Sequence, residues 1–205
     1  MIFINHRINT IWQLEEVPKE NGAEIDVRYH NNDLILHHDP FNHQNIEPEK
    51  FESFLKHWNH DGPLIINLKT EGIEEECISM MKFFNIKEWF FLDISMPYMV
   101  LYSLTAGSDD PKIEPNNLAV RFSEYEPLEY ALSFSKRAGW VWVDCFNEMP
   151  LNNKIFTKLK NSGFKICLVS PELQKHSLDK IFTYKKLIKN MDIDAICTKR
   201  PDLWQ

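Results

Sequence analysis

Glu24-Ile25-Asp26 places two carboxylates two residues apart, inside a stretch, Ala23–Arg28, that reads as a β-strand. Side chains alternate along a strand, so Glu24 and Asp26 share one face, about 7 Å apart along it. Two carboxylates aimed at one place repel unless a proton or a cation lies between them. A hard divalent ion with oxygen ligands, Mg²⁺ or Ca²⁺, suits such a pair. His6 and His38 bracket the pair in the sequence. One imidazole can take a proton from a nucleophile while the other gives one to a leaving oxygen. Arg7 and Lys69 add a planar fork and a point charge, both suited to phosphate oxygens. The plain alternative is that Arg7 and Lys69 pair with Glu24 and Asp26 and bind nothing else. His30, His43, His57, His60 and His176 lie in polar contexts and read as surface residues, and His37 should point away from His38.

These groups need a scaffold, and the chain supplies a regular alternation. Expected strands are Ile2–Asn5, Ala23–Arg28, Pro63–Lys69, Trp89–Ile94, Leu118–Phe122, Trp140–Asp144, Phe164–Val169 and Asp194–Thr198. Expected helices between them are Thr10–Lys19, Pro48–Asn59, Ile73–Phe84, Pro97–Ala106, Pro127–Arg137, Asn152–Lys160 and Leu178–Asn190. Asn31-Asn32 marks a turn into a short extended excursion, Asp33–His37. Asn161-Ser162-Gly163 has the form of a left-handed helix stop, and Pro97 and Pro127 suit a first helical turn. Eight strands alternating with helices predict an α/β fold, a compact (β/α)₈ TIM barrel. An open doubly wound sheet is the alternative, but no glycine-rich phosphate loop follows the first strand. In a barrel the chemistry collects where strands end. Those ends carry His6-Arg7, Glu24 and Asp26, Asn67 and Lys69, Asp93, Arg121 and Asp144. Arg121 could hold a second anion on a substrate, Asp93 and Asp144 could bind polyol hydroxyls, and Trp142, Trp140 and Phe146 could stack on a sugar or alkyl group, although core packing is the commoner fate of such aromatics.

Composition bounds the rest. At about 150 residues per domain, 205 residues make a single domain, 1–205. Twenty-three basic against 30 acidic residues leave a net charge of −7, which argues against nucleic acid as a partner. A hydrophobic share of 43% supports a substantial core and excludes disorder as the main state. No apolar run approaches the roughly 20 residues of a membrane helix. Met1-Ile2-Phe3-Ile4-Asn5-His6 lacks the basic region of a signal peptide, and Cys77, Cys145, Cys167 and Cys197 form no CxxC pair. The expectation is a cytoplasmic protein with reduced thiols. Oligomeric state is not legible.

Taken in order, His6-Arg7, Asn9-Thr10, Gly22-Ala23-Glu24-Ile25-Asp26-Val27 and Leu34-Ile35-Leu36-His37-His38-Asp39 resemble the glycerophosphodiester phosphodiesterase family. The chain end, Asp194–Leu203, is similar to that family's closing strand and Pro-Asp turn. The resemblance implies a (β/α)₈ barrel, a divalent metal, and hydrolysis of phosphodiesters bearing a small alcohol. It implies His6 and His38 as the acid–base pair, Arg7 on phosphate, Glu24 and Asp26 on the metal, and Lys69 as the lysine of a third-strand motif.

Three departures from the pattern matter. Ile8 alone separates His-Arg from Asn-Thr, where a loop usually helps form the site. Asn67 stands where the family has a third metal carboxylate. Leu168-Val169-Ser170-Pro171-Glu172 replaces a Trp-containing segment. An amide oxygen still ligates Mg²⁺ or Ca²⁺, so Asn67 is expected as a weak third ligand, softening the metal site while attraction for phosphate rises. The reading is a metal-dependent phosphodiesterase acting on a small-molecule phosphodiester, with links to lipid metabolism. A non-catalytic phosphate- or sugar-phosphate-binding barrel derived from that family is the alternative.

Overall fold

The computed structural model describes residues 1–40, 47–108 and 111–205; His43, read above as a surface residue, lies outside them. The described elements, in order, are β1 (Ile2–Asn5), α1 (Ile11–Glu15), β2 (Gly22–His30), β3 (Asp33–Leu36), β4 (Glu49–Lys50), α2 (Phe51–His57), β5 (Leu64–Leu68), α3 (Glu74–Phe83) and β6 (Trp89–Leu92). They continue as α4 (Met96–Thr105), β7 (Ala119–Phe122), α5 (Leu128–Ser133), β8 (Trp140–Val143), α6 (Asn153–Asn161), β9 (Lys165–Val169), α7 (Asp179–Leu187), β10 (Ala195–Thr198) and α8 (Pro201–Trp204). Among the described residues no helix is long and apolar enough to cross a membrane.

This is an α/β fold around a mostly parallel sheet. Parallel ladders join β1 to β2, β2 to β5, β5 to β6, β7 to β8, β8 to β9, β9 to β10 and β10 back to β1. Between β6 and β7 the described pairing is a single bridge, Phe91↔Leu118. Of the expected barrel, the described residues show seven parallel ladders, with no ladder between β6 and β7.

The alternating pattern sorts each strand onto two faces. Ile4, Ile65, Phe90, Trp140, Cys167 and Ala195 pack together inside, while Ile25, Ile66, Phe91, Val141, Ile166 and Ile196 pack outward with the helices. On β2 the inward positions are Glu24 and Asp26, because Ile25 and Val27 face out. Two acids therefore enter the interior, toward the end of the sheet where Asn67, Arg121 and Asp144 also lie. At the floor, β2 and the segment before β5 approach so closely that a Cβ on Gly22 would lie 2.2 Å from the Pro63 carbonyl oxygen.

The hairpin expected at Asn31-Asn32 forms. Both residues have positive φ, 49° and 64°, as a two-residue type I′ turn requires, and His30 pairs with Asp33. The antiparallel β2–β3 ladder then returns the chain to the strand end, where the His37 N–H donates to the Asp26 carbonyl at 2.9 Å. Gly163 follows α6 at φ 89°, the expected left-handed stop. Several helices are shorter than expected: α1 ends at Glu15 rather than Lys19, and α5 at Ser133 rather than Arg137. Glu49 and Lys50, expected in a helix, instead form β4 against β3, because the hairpin offers them an open edge.

Candidate active site

The mouth of the sheet holds a pocket of about 190 Å³. One wall carries His6, Arg7, Glu24, His38, Asn67 and Lys69, and the facing wall carries Asp93, Arg121, Trp142, Asp144 and Gln174. Asp26 lies fully buried beneath the first wall. Most of the candidates named from the sequence thus gather at one end of the sheet, Trp140 and Phe146 excepted.

Glu24 and Asp26 are held by short neutral donors. The Arg7 backbone N–H donates to Glu24 Oε2 and the Asn67 amide to Glu24 Oε1, both at 2.8 Å. Asn9 grips Asp26 twice, its amide donating to Oδ2 and its Oδ1 accepting the Asp26 N–H, each at 2.8 Å. The Asn-Thr motif thereby gains a physical meaning: Asn9 orients the acid, and the Thr10 hydroxyl caps α1 by accepting from the Gln13 N–H. Lys69 Nζ stands 3.5 Å from Asp26 Oδ1 and 3.2 Å from Asp93 Oδ2. Burial, reinforced by Asp26, raises the Glu24 carboxyl to about 7.

The two histidines are in different surroundings. Burial lowers His6 to about 3, and Arg7, Lys199, His38 and Lys69 press in the same direction. Its Nε2 lies 3.7 Å from Glu24 Oε2. His38 is more open; its Nε2 meets Arg7 Nη2 at 2.6 Å and its Nδ1 meets Asp39 Oδ1 at 2.7 Å. A guanidinium only donates, so Nε2 is the acceptor and the Nδ1 proton goes to Asp39. Arg7 is held at φ 56°, which costs a non-glycine residue about 1–2 kcal/mol. That backbone turn lets one residue donate to Glu24 through its main chain and to His38 through its side chain.

The facing wall differs from expectation. Arg121 is not an open fork for a second anion, since its guanidinium pairs with Asp93, Asp144 and, at 3.4 Å, Glu126. Asp144 is already engaged rather than open to a polyol. It is buried and takes donors from Arg121, from the Trp142 indole at 3.3 Å and from the Gln174 amide at 2.6 Å. Burial raises the Asp144 carboxyl even so. Burial pushes Asp93 the same way, but Arg121 and Lys69 outweigh it and its pKa is lowered. Trp142 reaches the pocket edge from within the inner core, Trp140 stacks on Phe90 deeper down, and Phe146 faces Tyr125.

Two contributors carry no sequence signal. Arg28, at the end of β2, donates to the carbonyls of His37, His38 and Lys69, at 2.8–3.2 Å, and so ties both loops to one strand. Gln174 sits on a 3₁₀ turn, Pro171–Gln174, two residues beyond the segment that departs from the family pattern.

Among the described residues no three His, Cys, Asp or Glu side chains are arranged to hold a metal ion. A cation at the acid pair therefore requires an amide oxygen as a further donor. The geometry supplies one: Asp26 Oδ1 and Asn67 Oδ1 are both buried and accept no hydrogen bond, and their residues are register partners on β2 and β5. A carboxylate and an amide oxygen beside a second carboxylate are hard donors that fit Mg²⁺ or Ca²⁺.

No family model matches the chain, and no curated protein matches it. Solved structures do. The crystal structure of glycerophosphodiester phosphodiesterase from Agrobacterium tumefaciens str. C58 aligns over 100% of this chain and 99% of its own, with a TM-score of 0.72 and 15% identity. That of a glycerophosphoryl diester phosphodiesterase from Parabacteroides distasonis ATCC 8503 aligns over 98% and 84%, with a TM-score of 0.65 and 12% identity. At these identities the likeness is one of fold, and it extends over the whole chain.

Proposed function

We propose that this chain is a metal-dependent phosphodiesterase, a single-domain closed (β/α)₈ barrel that hydrolyses a glycerophosphodiester-like small molecule. The observation that carries the reading is the convergence of His6, His38, Arg7 and Glu24 on one pocket wall, with Asp26 buried beneath it. The fold shared with two solved phosphodiesterases supports it.

Glu24, Asp26 and Asn67 would hold Mg²⁺ or Ca²⁺. When bound, such an ion polarises a phosphoryl oxygen and offsets charge developing on it. Arg7 turns from His38 Nε2 to the phosphate, and Lys69 adds its charge from the neighbouring strand. His6, held neutral, accepts the proton of the attacking hydroxyl or water. His38, freed of the guanidinium and backed by Asp39, carries a proton to the leaving alkoxide. A cyclic phosphate forms first if the attacking hydroxyl belongs to the substrate. The acidic surface disfavours nucleic acid, and a cytoplasmic role in lipid headgroup metabolism suits this chemistry.

A phosphate-binding barrel without turnover is the second reading, favoured by Asn67 donating its amide to Glu24 in place of a third carboxylate. Hydrolysis of bis(p-nitrophenyl) phosphate and of glycerophosphodiesters with Mg²⁺ or Ca²⁺, against a chelated control, decides between them. Metal-dependent release that His38→Ala abolishes supports the enzyme, and phosphate binding without release supports the binder.

A further inference from the structure

We propose that Lys199 is a further phosphate-binding residue, forming with Arg7 an anion subsite at the β1–β10 edge of the mouth that prefers a dianionic phosphomonoester. The inference rests on the phosphodiesterase reading only in taking Arg7 as a phosphate contact.

Position comes from register. β10 ends at Thr198, and Lys199 is the first residue beyond that strand end, exposed at the mouth side of the sheet. On β1, Ile4 faces the interior and His6 follows in phase. The ladder pairs Asn5 with Thr198, and the His6 N–H donates to the Thr198 carbonyl at 3.3 Å, which brings Lys199 beside His6-Arg7. Among the charges acting on His6, those of Arg7 and Lys199 rank ahead of His38 and Lys69.

The second observation is the distribution of counter-charge. Lys69 is paired with Asp26 and Asp93, and Arg121 with Asp93, Asp144 and Glu126. Among the described residues neither Arg7 nor Lys199 forms an ion pair with a carboxylate. Glu172, which lies against this segment, is occupied by the hydroxyls of Ser170 and Thr198 and by the Lys199 backbone N–H. Two cations on adjoining strand ends, neither of them ion-paired to a carboxylate among the described residues, suit a ligand with more than one negative charge. A phosphodiester carries one. Hydrolysis breaks its bond to the leaving alcohol, transfers a water oxygen to phosphorus and leaves a monoester. The second phosphate pKa is about 6, so that product is largely a dianion near neutral pH. The subsite accordingly holds the product more tightly than the substrate.

The test is calorimetric titration at pH 8 and low salt with inorganic phosphate as the dianion and dimethyl phosphate as the monoanion. Wild type should bind phosphate more tightly. Lys199→Gln should weaken phosphate roughly tenfold, the scale of one charge-assisted hydrogen bond, and dimethyl phosphate less. Lys199→Arg should restore binding, and Lys186→Gln on α7 should leave it unchanged. Phosphate binding equal in wild type and Lys199→Gln, or absent in wild type, overturns the subsite. Diester turnover measured in the same proteins keeps the two ideas apart. A Lys199-dependent phosphate site without turnover removes the enzyme and keeps the subsite, whereas turnover with Lys199-independent phosphate binding does the reverse.

Discussion

Asp26 and Asn67 face each other across the β2–β5 seam, and each buries one side-chain oxygen that accepts no hydrogen bond. A buried acceptor without a donor costs about 1–3 kcal/mol; Lys69 Nζ, 3.5 Å from Asp26 Oδ1, offsets part of this on the acid and Asn67 Oδ1 has no hydrogen-bond partner, so a bound cation would stabilise the fold here. Divalent titration of chelator-treated protein should show one site that Asp26→Asn removes. Asn67→Glu should tighten it by adding charge and a second oxygen. Unchanged metal affinity in Asn67→Glu would exclude this side chain from the site.

His38→Ala and His6→Ala should each lower diester turnover by roughly 10²–10⁴-fold, the usual worth of a general acid or base, with the circular dichroism spectrum retained. A variant that hydrolyses its substrate at the wild-type rate has lost no catalytic group.

The stability of the metal-free protein should hide two opposing pH slopes. Glu24 is raised from 4.5 to about 7 and His6 lowered from 6.5 to about 3. Between pH 4.5 and 6.5 the native state keeps a proton on Glu24 that the unfolded chain has lost, and lacks one on His6 that the unfolded chain has gained. The two contributions oppose each other. Glu24→Gln leaves the histidine slope, so stability is lost as pH falls below 6.5. His6→Gln leaves the carboxylate slope, so stability is lost as pH rises from 4.5 to about 7. Urea denaturation across this range measures all three proteins, and parallel curves would contradict both assignments.

Arg28→Lys should impair activity although it keeps the charge. The guanidinium reaches three carbonyls on two loops, and an ammonium on a flexible stem cannot match that planar fork. The expected result is a lower kcat and a stability loss of about 1–3 kcal/mol, the worth of hydrogen bonds to a charged group. Wild-type values of both would mean the clamp does not hold His38 and Lys69 in place.

How far the chain could be read in advance depends on the range of the interaction concerned. The shared face of Glu24 and Asp26 follows from period-two alternation, and the return of His38 to the mouth follows from Asn31-Asn32 adopting positive φ. Both are decisions made within a few residues, so the sequence by itself determined them, along with the parallel α/β class and the inward turn of Asn67. The partners of Arg121 were decided only by tertiary structure, because Asp93, Glu126 and Asp144 come from three separate loops that meet when β6, β7 and β8 lie side by side. The same holds for Arg28 beneath two loops and for Gln174 on Asp144. Strand periodicity tells which face a side chain takes, but the strand order around the sheet tells which other strand ends it meets. That order depends on burying the whole apolar interior at once, a condition no local stretch of sequence expresses.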